Sequence, residues 1–238
     1  MAGHSKWANT KHRKERADKK KGKIFSRITK EIISAVRQHG TDPKSNSKLR
    51  LAIQKAKDAN MPNDNVERNI KKAASSDAAD FTEMMYELYG YGGVGILVDI
   101  MSDNKNRISS EIHIATKEHG GSIAGPGSVS YNFERKGLFR IPKTAMAEDD
   151  LFLLVSEAGA DDFREEEESF IVISSVENFA KVKEALQAAN IKPDEAELAM
   201  VPKTLVAVSD EDANSNIALI EYLEDLDDVD AVFHNMQV

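Results

Sequence analysis

The sequence predicts an α+β protein: an N-terminal three-helix domain plus two ferredoxin-like α+β domains, one inserted into the other. Three observations carry this. The chain has 238 residues, more than one comfortable core, so two or three domains are expected. Apolar spacing is helical over roughly residues 24–73 and then gives way to segments rich in aromatic, β-branched and Gly residues. Charge is polarised: residues 1–80 hold 20 Lys/Arg and 9 Asp/Glu, 81–143 hold seven of each, and 144–238 hold 5 and 24. The net charge of −8 therefore conceals a basic module joined to an acidic one.

Residues 1–23 show no apolar period and read as an extended or conditionally ordered arm. A helix follows, with Ile24, Ile28, Ile32 and Val36 four apart and a stop at Gly40 before Asp42-Pro43. A second helix starts near Ser47, uses Leu49, Ile53 and Ala56, and ends before Met61-Pro62. A third starts at Asp64, three residues before Glu67 in a capping-box-like spacing, and buries Val66, Ile70 and Ala73. Residues 74–80 read as a linker, which closes the first domain at 1–80.

Tyr86 to Ser102 reads as strands broken by a Gly turn at 90–95. A helix is predicted over 104–119 with Asp103 as its cap, then an alternating strand with Val129, Tyr131 and Phe133 on one side. Beyond that come a strand at 138–141, a helix at 145–157, strands at 161–164 and 169–174, a helix at 176–189 and a strand at 196–201. That β-α-β-β-α-β order is the ferredoxin-like plan. A strand at 205–208, a helix at 213–226 and a strand at 230–236 finish the chain. The tail completes a domain begun earlier, so 136–203 is expected to be an acidic insertion in a discontinuous domain of 81–135 and 204–238.

The functional signal is the first thirty residues, where eleven Lys/Arg face two acids, Glu15 and Asp18. Lys11, Arg13, Lys14, Arg16, Lys19, Lys20, Lys21 and Lys23, with His12 among them, would run along one polyanion, because neutralising phosphates releases condensed counterions. His4, Lys6 and Trp7, the chain's one Trp, would form a stacking or groove-entering tip. Lys44, Lys48, Arg50, Lys55, Lys57, Arg68, Lys71 and Lys72 would extend this surface over the bundle. Composition does not separate DNA from RNA.

Other chemistry is not called for. There is no Cys, so no disulfide or thiolate site. The six His residues lack metal-ligand spacing, and no metal or cofactor is expected. No nucleophile, base and orienter are grouped, so the chain reads as non-enzymatic. Asp161-Asp162 with Glu165 to Glu168 read as a solvated hairpin edge, and Gly90 to Gly95 as a strand turn lacking the Gly-Lys-Ser/Thr of a phosphate loop. No run nears the roughly 18 apolar residues of a membrane span, and the lack of Cys suits a reducing cytoplasm.

The opening Met1-Ala2-Gly3-His4-Ser5-Lys6-Trp7-Ala8-Asn9, with Lys11-His12-Arg13-Lys14, resembles that of the YebC family. The resemblance continues through Asn60-Met61-Pro62, Gly92-Gly93-Val94, Asn106-Arg107, Gly120-Gly121 and Phe133-Glu134-Arg135-Lys136-Gly137. It implies three domains and a cytoplasmic, DNA-binding transcriptional regulator. The alternative it carries is a second role, since other members are described as ribosome-associated factors that aid translation through proline-rich stretches. On that alternative the arm would enter ribosomal RNA, and the acidic domains would meet the ribosome or basic proteins.

Overall fold

The structure, a computed structural model, describes residues 13–75 and 79–237, with side chains from Gly22 onward. It is α+β, with an N-terminal three-helix region and two four-stranded antiparallel sheets with their helices. The chain divides into two compact units: one of residues up to Val129 together with those from Val206, the other Ser130–Leu205.

The helical region comprises α1 (Arg13–His39), α2 (Ser47–Asp58) and α3 (Asn63–Ala73). Its core holds Ile28, Ile32, Ala35, Val36, Leu49, Ala52, Ala56, Met61, Val66 and Ala73; of the four-apart series, Ile28, Ile32 and Val36 are buried, whereas Ile24 is exposed. Gly40, at φ 82°, ends α1. Buried Asn46 then joins two helices. Its Oδ1 accepts from Leu49 N at 2.9 Å, capping α2, while its Nδ2 donates to the carbonyls of Ala35 and Gly40, each at 2.8 Å.

Two details differ from the sequence reading. Residues 13–23 are not extended but continue α1 toward the N-terminus, which adds about 16 Å of helix. Lys, Arg, Glu and Ala are good helix formers, and a helix nucleated on the apolar face from residue 24 propagates through them despite Gly22. At α3, no side chain caps the helix: Pro62 occupies the cap position and Asn63 the first turn.

In the first unit, β1 (Thr82–Tyr89) and β2 (Gly95–Ser102) form a hairpin in register from Thr82↔Ser102 to Tyr89↔Gly95. Its turn includes Gly92 at φ 66°, where a Cβ would come within 2.7 Å of Val208 Cγ1. Then come α4 (Lys105–His119), the two-residue β3 (Ser122–Ile123), α7 (Asp210–Asp225) and β8 (Val229–His234), in the strand order β3-β1-β2-β8. Leu88, Ile96, Val98 and Ile100 face Ile108, Ile112 and Ala115 of α4 and Leu219, Ile220 and Leu223 of α7.

Three predicted details change here. Asn104, not Asp103, caps α4, its Oδ1 accepting from Asn106 N and Arg107 N at 3.1 Å. Residues 128–132 do not form a strand. The buried Glu87 carboxylate takes the amides of Gly127 (2.7 Å) and Val129 (2.6 Å), and a 3₁₀ turn at Ser130–Asn132 follows. The predicted strand at 205–208 reduces to one parallel bridge, Val206↔Met236.

The second unit holds β4 (Phe133–Pro142), α5 (Glu148–Glu157), β5 (Ala160–Glu165), β6 (Ser169–Ser174), α6 (Phe179–Ala188) and β7 (Glu195–Pro202). Its antiparallel order β5-β6-β4-β7 follows from two crossover helices around a hairpin. Phe139, Ile141, Phe170 and Val172 pack against Leu151, Val155, Val182 and Leu186.

Candidate nucleic-acid interface

The predicted contact residues fall into three groups. His4, Lys6, Trp7, Lys11 and His12 lie outside the described residues. Arg13, Lys14, Arg16, Lys19, Lys20 and Lys21 belong to the first turns of α1. Lys23 is the one whose side chain is described, and it is turned inward. Its Nζ donates to the carbonyls of Glu224, Leu226 (3.3 Å) and Val229 (3.1 Å), around the C-terminus of α7. The last carbonyls of a helix have no partner within it, and a cation there also meets the negative end of the dipole.

Two further α1 cations lie on the same stripe, four and seven residues on. Arg27 Nη2 donates to Asp99 at 3.2 Å, and its Nε lies 3.4 Å from Glu31 and 3.7 Å from Asp230. Lys30 Nζ donates to Asp227 O at 3.1 Å and lies 3.7 Å from Asp228 and 3.9 Å from Asp230. Asp228 also accepts from Ser102 Oγ at 2.7 Å and from Arg107 at 3.1 Å (Nε) and 2.5 Å (Nη2).

The electrostatics of this clamp are uneven. Burial pushes the Asp230 carboxyl up to about 6 despite Arg27 and Lys30, with Asp99 and Glu31 adding to the rise. Burial also opposes ionisation of Asp228, but hydrogen bonds from Arg107 and Ser102 and the charges of Arg107 and Lys30 outweigh it and hold the group below its ordinary value. Burial disfavours the Arg27 cation, yet Asp99, Asp230 and Glu31 raise its pKa.

Sequence reasoning counted Arg27 and Lys30 as basic charge but missed this clamp. A signal exists: Asp99 is the one acid in the apolar run of β2, and Asp227, Asp228 and Asp230 crowd the start of β8. Acids embedded in strand cores ask for cations, although nothing local says which.

On the bundle, several cations are similarly engaged. Lys55 pairs with Glu31 at 2.8 Å, Lys48 donates to Gln38 at 2.9 Å, Arg50 to Pro43 O at 3.3 Å and Arg68 to Asn65 at 2.7 Å. Lys44, Lys57, Lys71 and Lys72 are exposed, and their ammonium groups have no protein partner among the described residues. Among those residues no group of three or more His, Asp or Glu is placed to hold a metal ion, and no helix is long and apolar enough to cross a membrane.

Residues 5–76 match the TACO1/YebC protein N-terminal domain, and residues 81–236 match the TACO1/YebC second and third domain. The chain belongs to the TACO1/YebC family. A TACO1/YebC relative in Protochlamydia amoebophila, named "Probable transcriptional regulatory protein pc1328", is 58% identical over 238 residues, all of this chain and 97% of the relative. A "Probable transcriptional regulatory protein" of Chlamydia muridarum is 55% identical over 237 residues, 99% of this chain and all of the relative. The crystal structure of the conserved hypothetical protein Aq1575 from Aquifex aeolicus shares the fold. Its TM-score is 0.79 at 39% identity, over 97% of this chain and 96% of that one.

Proposed function

We propose that this TACO1/YebC chain is a non-enzymatic, DNA-binding regulator of transcription that works in the cytoplasm and holds duplex phosphates with the first turns of α1 and the segment before it. The observation that carries the reading is that three cations of α1 are engaged within the protein itself. Lys23, Arg27 and Lys30 are occupied by carbonyls and carboxylates of the same unit. We therefore assign the outside polyanion to the basic residues that precede Lys23 in sequence: Arg13, Lys14, Arg16, Lys19, Lys20 and Lys21, with His4, Lys6, Trp7, Lys11 and His12 before them. The names of the relatives support a role in transcription. Exposed Lys44, Lys57, Lys71 and Lys72 are further candidate phosphate contacts.

A second reading keeps the same basic residues and places them on ribosomal RNA, as a translation factor. The charge split favours it: a protein that only bound DNA would gain nothing evident from a segment with 5 Lys/Arg and 24 Asp/Glu. In-cell crosslinking with sequencing of bound DNA and bound RNA separates the two. Discrete promoter-proximal DNA peaks support the regulator. One discrete ribosomal RNA site, lost when Lys19, Lys20 and Lys21 are neutralised, replaces it with the translation factor.

A further inference from the structure

The second unit presents apolar side chains that its own core does not use. In α5, Leu151 and Val155 face the core. Helical geometry sets Leu153 on the opposite side, with Asp149 one turn before it and Glu157 one turn after. Leu153 is 60% exposed and Phe152 51% exposed. Phe152 leans toward the edge strand β5, its ring edge-on to Phe163 at 5.6 Å, and Phe163 lies 5.2 Å from buried Phe170. An aromatic row thus runs from the core and ends in solvent, beside a leucine that is 60% exposed.

The charge around this patch has one sign. Residues 144–169 hold ten Asp/Glu and a single Lys/Arg, Arg164. Four of the acids have cationic partners within the unit: Asp161 with Lys136, Glu166 with Arg140, Glu165 with Lys143 and Asp162 with Arg164. Glu148, Asp149, Asp150 and Glu157 all lie on α5, and the ion pairs of this unit among the described residues include none of them. The first three stand in the opening turn, where they suit the positive end of the helix dipole. Glu157 stands in the last turn, which has no basic residue, and there an acid opposes the dipole. Helix stability therefore does not explain Glu157.

We propose that the Phe152–Leu153 face of α5 is a docking surface for a cationic amphipathic segment of a partner protein. Large apolar residues of that segment would cover Phe152 and Leu153, and its Lys/Arg would meet Asp149 and Glu157. A nucleic acid would set phosphates against carboxylates, and the same face of a second copy would set acids against acids. The complementary occupant carries positive charge and an apolar stripe together.

The test uses the full chain and two fluorescent 18-residue peptides of equal positive charge: one with Leu and Lys at helical spacing, the other with Ser in place of Leu. The Leu/Lys peptide is expected to bind at least tenfold more tightly than the Ser/Lys peptide. Leu153→Ser, which removes an exposed side chain, should weaken it about tenfold, and Phe152→Ser with Leu153→Ser should weaken it further. Asp149→Asn with Glu157→Gln should weaken it about fivefold and reduce its dependence on salt. Asp210→Asn with Glu211→Gln, at the start of α7, should change nothing. Equal binding of both peptides, or undiminished binding to the Leu153→Ser chain, would reduce the effect to general charge attraction and overturn the proposal. A wild-type chain that sediments as a dimer and a Leu153→Ser chain that sediments as a monomer would show that a second copy covers the face, and would overturn it too.

Discussion

Lys30 Nζ stands 3.7 Å from Asp228 Oδ1, with only 9% and 7% of the two side chains exposed. One partner comes from the helical region and the other from the turn just before β8, so this buried pair fastens α1 to the first sheet. Taking two charges out of water is costly, and removing one partner leaves the other uncompensated. Lys30→Ala should therefore lower the stability of the first unit by about 3–5 kcal/mol. Urea unfolding followed by the helical signal would measure it. Adding Asp230→Asn to Lys30→Met should recover part of the loss, because fewer buried carboxylates then lack a cation. A loss under about 1 kcal/mol would mean that the ammonium group is effectively solvated.

Asp230 gives this clamp a dependence on pH. Burial, together with Asp99 and Glu31, raises its carboxyl from the ordinary 3.8 to about 6, against the pull of Arg27 and Lys30. A carboxyl raised in the folded state binds its proton more tightly there than in the unfolded chain. Its contribution to stability therefore grows as pH falls from about 6 toward 4 and is lost as pH rises through about 6. The full swing is at most about 3 kcal/mol. Asp228 acts in the opposite sense: its pKa is held down, so its contribution is present above the ordinary value and lost as pH falls through the lowered one. Carbon NMR of the Asp230 carboxyl should show a midpoint near 6, and Asp230→Asn should remove the corresponding slope from the stability profile. A midpoint at or below 4 would show that the two cations win over burial.

Elements with a strong local period were legible in the sequence. The spacing of Leu49, Ile53 and Ala56 predicts a second helix from near Ser47, and α2 does start at Ser47, although Ala52 rather than Ile53 is buried. The run from Ser169 to Ser174 matches β6, both faces of which are buried. Where a choice rested on one side chain, the sequence was ambiguous. Asp103 and Asn104 are both good caps, and Asp103 is drawn off by Arg107 at 2.8 Å. The alternation of Val129, Tyr131 and Phe133 looks like a strand, but the Glu87 carboxylate some 40 residues away takes the amides of Gly127 and Val129. The basic run was plain in composition, yet its apportioning was not. Lys23 and Lys30 reach groups about 200 residues away in sequence, and no local pattern marks them apart from Lys20 or Lys21.

That apportioning makes a contrast that binding can read. If the first turns of α1 meet phosphate, replacing Lys19, Lys20 and Lys21 with Ala should weaken binding to duplex DNA. The slope of log K against log salt should then fall by roughly 3. Lys23→Ala should leave the slope nearly unchanged and lower stability instead, because its ammonium group satisfies carbonyls at the end of α7. Fluorescence anisotropy between 50 and 200 mM salt, on the rough scale where such slopes are resolved, would measure both. An unchanged slope in the triple variant would remove these turns from the contact. A large change with Lys23→Ala would mean that nucleic acid pulls this side chain out of the clamp.

The remaining question is what Trp7 does, and it separates the two functional readings. An indole stacks on an unpaired base but finds no open base face in an intact duplex, and such stacking is worth about 1–3 kcal/mol per base. If Trp7 stacks, Trp7→Ala should cost roughly 5- to 150-fold in affinity for single-stranded or looped RNA and much less for duplex DNA of the same length. The lysines nearby would supply the same phosphate attraction in both cases, so the ratio of the two losses isolates the ring. Equal losses on both substrates would argue against stacking and leave Trp7 as a groove contact or an anchor. That outcome favours the DNA-binding regulator, whereas a loss confined to RNA favours the translation factor.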